Sequence, residues 1–180
     1  LPPRHFSWRV RGNPLYWAIA ERDVLELHYD LLIATSMVDL ATLRGLVPAL
    51  ARLPSLLYFH ENQFDYASPR QQHGLLEAQM VSLYSALAAD SLLFNSAYNR
   101  DTFLAGSQAL LDKLPDRVPS GVVALLREKS AVLPVPLELH EQAARWPGQS
   151  GELPARPLRL LWVGRFEHDK GGDLLVSILL

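Results

Sequence analysis

Short apolar runs alternate along this chain with longer amphipathic stretches, and the two patterns predict different elements. Residues 30–35, 56–60, 91–95, 131–135 and 158–163 are brief, continuously apolar and bounded by polar or turn residues, as buried strands are. Helical patterns lie between them. Asn13 followed by Pro14 predicts an N-cap and a first helical position for a helix to about Arg22. Ser36 predicts the cap of a helix through Arg44, residues 69–88 form the longest helical pattern, and Ser96 predicts the cap of a helix over 97–113. Strands separated by helices imply parallel pairing through right-handed crossovers, hence a doubly wound α/β domain.

Residues 140–157 break that rhythm. They are rich in Pro, Gly, Gln, Glu and Ala, with Pro147-Gly148 and Pro154 interrupting any helix, before the strand pattern resumes at Leu158. The expected organisation is an amino-terminal domain over 1–139, a linker over 140–157 and the start of a second α/β domain over 158–180. The chain begins at Leu1 rather than Met and stops in an apolar segment with neither a Gly cap nor a basic last turn. It is therefore expected to belong to a longer parent.

Composition narrows the class. With 49% hydrophobic residues, 20% charged residues and a net charge of −2, the chain reads as a soluble, enzyme-like α/β protein rather than a dedicated nucleic-acid coat. No apolar stretch approaches the length of about 18 residues that spans a bilayer. A secretory leader pattern is also missing from the first residues, so the cytoplasm is the default compartment. The absence of cysteine excludes disulfides, thiolate zinc sites and cysteine nucleophiles.

Three polar constellations follow predicted strands, at the carboxyl ends where open α/β sheets bind ligands. In Tyr58-Phe59-His60-Glu61-Asn62-Gln63, His60 suits proton transfer or contact with a substrate hydroxyl, while Glu61, Asn62 and Gln63 suit sugar hydroxyls. A capped polar loop is the alternative; metal binding is not, since no second His follows His60 at helical spacing. In Phe94-Asn95-Ser96, Ser96 reads first as an N-cap and Asn95 as the better ligand candidate. The third, Gly164-Arg165-Phe166-Glu167-His168-Asp169-Lys170-Gly171, joins a predicted strand to a helix start. Unpaired helix amides together with Arg165 and Lys170 make an anion cradle suited to a phosphate or diphosphate. A solvated turn in which Glu167 and Asp169 pair with those cations is the competing reading.

A fourth feature concerns a partner. Arg4, Phe6, Trp8, Arg9 and Arg11 set three cations among two aromatics in an otherwise acidic chain, a mixture that suits phosphate contact plus base stacking. An ordinary amphipathic edge segment fits the same residues.

Together these motifs resemble a known family. A His after a first-domain strand, with Gly164-Arg165 and Lys170-Gly171 opening a second domain, is similar to GT-B glycosyltransferases of the family 4-like group. Leu57 to Gln63, Phe94-Asn95-Ser96 with Asn99 and Phe103-Leu104, and Arg165 to Lys170 resemble the tRNA-queuosine α-mannosyltransferases more specifically. That resemblance implies two Rossmann-like domains and retaining transfer of mannose from GDP-mannose to queuosine in tRNA, with no obligatory metal and no cofactor. Arg165 and Lys170 would stabilise the leaving diphosphate, with Gly164 and Asn95 also on the donor side. His60 would lie near the transferred sugar, and Glu61, Asn62, Gln63, Trp8, Arg9 and Arg11 would face the acceptor. The first strand of the family pattern and the later carboxylate motif that holds the donor are not in these 180 residues, so the chain alone is expected to be inactive. The alternatives are a family 4-like enzyme with a lipid or glycan acceptor, and a binding module without chemistry.

Overall fold

The computed structural model describes residues 6–65, 74–114, 117–138, 161–164 and 171–179. The chain divides into two compact units, Leu1–Pro134 and Val135–Leu180.

The first unit holds a four-stranded, all-parallel sheet: β1 (Leu32–Thr35), β2 (Ser55–Phe59), β3 (Ser91–Phe94) and β4 (Ser130–Val132), neighbours in that order. Four of the five predicted strands are thus present. Register places Ala34 beside Leu57, Leu57 beside Leu92, and Phe59 beside Phe94, so these side chains share one face. On that face they meet Leu40, Leu83, Ala86, Phe103, Leu104 and Leu126, and all of these residues belong to one buried cluster. Phe59 stacks on Phe94 at 4.6 Å between ring centroids, and Phe103 closes on both. Burying each such side chain contributes about 1.5–3 kcal/mol.

The helices of that cluster are α3 (Leu40–Leu46), α5 (Leu75–Ala88), α6 (Ala97–Leu111) and α7 (Val122–Glu128). Strands that advance in one direction through crossovers of one hand put their helices on one side, and that is what this unit does. Among the described residues the strand order runs one way, as in one half of a doubly wound sheet. The second sheet face carries Ile33, Leu56, Tyr58 and Leu93, and Ile33 is 65% exposed.

At the amino-terminal side, α1 (Phe6–Ala20) is followed by the short α2 (Arg22–Leu25). The predicted start of α1 at Asn13-Pro14 is corrected: both residues lie inside the helix. Upstream residues are already anchored, Val10 by burial and Arg11 by Asp39, and these contacts outweigh the loss of one helical hydrogen bond at Pro14. Ala18 joins Leu43, Val47 and Leu50 in a second cluster that seats α1 on α3 and on α4 (Pro48–Ala51). The predicted cap of α3 moves as well. Ser36–Val38 turn away from β1, and Asp39 caps the helix by accepting from Thr42 N at 3.1 Å. Ser96 caps α6 as predicted, accepting from Asn99 N at 3.1 Å.

In the second unit, Leu161–Val163 form no strand, because no described neighbour in that unit offers a ladder partner; the rest of the predicted strand lies outside the described residues. A helix, α8 (Gly172–Leu179), begins after Gly171, whose φ of 69° favours glycine. The linker over 140–157 and residues 69–73 of the predicted long helix also lie outside the described residues.

Candidate functional site

Parallel pairing brings the ends of β1, β2 and β3 side by side, and with them the polar segments that follow β2 and β3. Main-chain bonds continue past the strands: Ser36 N donates to Tyr58 O at 2.9 Å, and Asn95 N donates to Phe59 O at 3.1 Å. His60 and Asn95 therefore sit on neighbouring strand ends. His60 is exposed, its ring edge against Tyr58 at 4.7 Å, and Glu61 beside it is exposed too.

The asparagines below them form a connected network. Asn62 is 7% exposed, and its amide nitrogen donates to Asn99 O, Asn99 Oδ1 and Thr102 Oγ1 at 2.8–3.0 Å. Asn62 Oδ1 accepts from Phe64 N at 2.9 Å, turning the loop back on itself. Asn99 Nδ2 donates to Phe59 O and Asn95 Oδ1, and Asn95 Nδ2 donates to His60 O at 2.7 Å. Every amide oxygen and nitrogen of Asn62, Asn95 and Asn99 thus has an internal partner. These residues hold His60 and Glu61 outward on a fixed loop, a positioning task. Gln63 contributes its carbonyl, which accepts from Gln79 Nε2 at 3.2 Å, and Tyr98 OH ties Asp65 to α6. Asn99 matters more than its place in the motif suggested; its i+3 spacing from a capping Ser96 is the signal available in sequence.

The amino-terminal cations behave differently from one another. Arg11, itself exposed, pairs with the buried Asp39 and, at 3.2 Å, with Glu77, so its charge is already partnered. Arg9 forms no ion pair among the described residues. Trp8 is 65% exposed and covers Gly12, where even a methyl group would press on the indole. Arg9, Asn13 and Trp17, spaced four apart on one face of α1, line a cavity of about 320 Å³ with Thr35, Met37 and Val38 at the end of β1. Asn13 and Trp17 carry no motif, and only the helical spacing could have found them.

Gly164 is exposed beside Trp162, while Arg165 and Lys170 lie outside the described residues. Among the described residues no helix is long and apolar enough to cross a membrane.

A four-stranded parallel sheet with helices packed on it and polar loops gathered at its strand ends defines the class: a Rossmann-like α/β unit. Comparison with known proteins narrows it further. Residues 1–137 match the family model described as tRNA-queuosine alpha-mannosyltransferase N-terminal. A Drosophila melanogaster protein named tRNA-queuosine alpha-mannosyltransferase is 34% identical over 184 residues, covering 99% of this chain and 48% of its own length. The chain belongs to the tRNA-queuosine alpha-mannosyltransferase family and spans about half the length of that curated relative. No solved structure matches it.

Proposed function

We propose that the protein transfers mannose from GDP-mannose to queuosine in tRNA, in the cytoplasm, with retention at the anomeric carbon. The observation that carries this reading is family membership over nearly the whole chain. His60, exposed on a loop braced by Asn62, Asn95 and Asn99, is the group proposed to meet the reacting sugar, where an imidazole can accept a hydrogen bond from a hydroxyl or move its proton. Glu61 is its exposed neighbour on the acceptor side. Arg165 and Lys170 are proposed to offset charge on the departing diphosphate, which removes the need for a metal ion in that role. Gly164 is the approach for the donor, and Arg9, with Trp8 beside it, supplies the contact to RNA phosphate.

Donor-binding residues are proposed to lie largely beyond these 180, so the chain by itself is expected to be inactive. The test is sugar transfer by the full-length protein from labelled GDP-mannose to tRNA prepared with or without queuosine. Label on queuosine-containing tRNA alone is the expected result. Label on neither, from a protein that still binds GDP-mannose, would keep a glycosyltransferase and move the acceptor to a lipid or glycan.

A further inference from the structure

Two buried polar atoms at the end of β1 lack partners. Asn13 is 4% exposed; its Nδ2 donates to Met37 O at 3.0 Å, yet its Oδ1 has no hydrogen-bond partner. Ser36 Oγ, at the same strand end, is likewise buried and unpaired. Buried polar groups are nearly always satisfied, so unpaired ones ask for an occupant. Beside them is the cavity of about 320 Å³ lined by Arg9, Asn13, Trp17, Thr35, Met37 and Val38. Its size falls at the small end of ligand pockets. The walls combine a cation without a carboxylate partner among the described residues, an indole, a strand-end hydroxyl and an unsatisfied amide oxygen.

We propose that this cavity holds one nucleoside phosphate unit of the RNA acceptor. The phosphate meets Arg9, the ring packs on Trp17, and a ribose hydroxyl or base N–H donates toward Asn13 Oδ1. Arg9, Trp17 and Asn13 then each meet a group of matching chemistry. Arg11 takes no part, because Asp39 and Glu77 hold it. The inference rests on the proposed tRNA acceptor and adds to it a defined pocket on α1.

The experiment titrates the full-length protein with an anticodon stem-loop RNA and, separately, with nucleoside 5′-monophosphates, following tryptophan fluorescence. Arg9→Ala should weaken stem-loop binding about tenfold and lower the salt slope by about one unit. Trp17→Phe, which keeps an aromatic ring on the second core cluster, should remove the quench assigned to the indole. Arg22→Ala, a cation removed elsewhere, should change neither, and the melting temperature of Arg9→Ala should match the parent. Stem-loop binding unaltered by Arg9→Ala and Trp17→Phe overturns the pocket even where labelled mannose is still transferred to tRNA. Binding weakened by both, from a protein that transfers no mannose, keeps the pocket and sinks the proposed reaction. Mononucleotide binding that the stem-loop does not compete with overturns RNA as the source, as does failure of the parent to bind either probe.

Discussion

Arg9 and Arg11 are separated by about 200° around a helix of 3.6 residues per turn, so neighbouring cations do opposite work. Arg9 lines an open cavity; Arg11 neutralises Asp39, which is 2% exposed and also accepts from Thr42 N and Thr42 Oγ1. Removing Arg11 leaves a buried carboxylate short of one partner, and Arg11→Ala should cost about 1–3 kcal/mol in denaturant unfolding. A loss near zero would mean that solvent replaces the guanidinium. Asn99→Ala should cost about 1–3 kcal/mol, since it removes the side-chain bonds to Asn62 Nδ2, Phe59 O and Asn95 Oδ1, although Phe59 O keeps Asn95 N and Asn62 Nδ2 keeps Thr102 Oγ1. The same variant should speed hydrogen exchange at Phe64 N, whose acceptor is Asn62 Oδ1. Asp90 gives a pH-dependent case. The Ser55 hydroxyl, first, and then the Ser55 N–H, Arg44 and Lys129 hold its carboxyl below the usual value of 3.8, against the desolvation that raises it. Its stabilising contribution is therefore complete above about pH 4 and is lost as pH falls through the lower folded-state value. The stability gap between the parent and Asp90→Asn should shrink on acidification from about pH 6 to about pH 2.5; a constant gap would remove the Ser55 bond as its cause.

Elements were legible in sequence where one signal governed them. The four strands are short apolar runs whose interior faces are shared by pairing, so composition and position agree with packing. The cap of α6 was legible because only Asn95 separates Ser96 from the end of β3 and the helix begins at the next residue. At α1 and α3 two signals competed. Asn13-Pro14 has the form of a helix start, but the long-range bond from Asn13 Nδ2 to Met37 O and the pairing of Arg11 with Asp39 fix residues on both sides of it in one helix. No local pattern reports a partner 24 or 28 residues away. Ser36 lost its capping role to Asp39 because the chain needs a turn to leave β1 before α3 can start. Gly106 is the element-scale test of the candidate site. It lies on α6 where a Cβ would overlap the Cβ and ring of Phe64, the residue that closes the His60 loop. Gly106→Ala should thus destabilise by about 1–3 kcal/mol despite the better helix propensity of Ala, and should shift resonances of the His60 loop. A stabilised variant would mean that the loop yields freely and does not brace His60.

At the scale of the first unit, helix placement follows from strand order. Parallel sheets in soluble proteins are covered on both faces, whereas among the described residues of this unit the helices cluster on one and the other offers Ile33 at 65% exposure, with Leu31 at 49% beside it and Leu133 at 50% past the opposite edge strand. Sequence could not reveal this, because Ile33 and Leu57 look alike as members of apolar runs; only register separates the covered face from the open one. The consequence concerns the 180-residue chain on its own. An apolar sheet face in water binds hydrophobic dyes and favours self-association. Expressed alone, the chain should bind such a dye and sediment as more than a monomer, and the double substitution Ile33→Ser with Leu133→Ser should reduce both without lowering helix content. The two side chains contribute to no buried cluster, so the substitutions should spare the core while removing the driving force. A monomer that binds no dye would mean that this face is covered within the chain itself. In that case the double substitution should lower stability instead, which separates the two accounts in one set of samples.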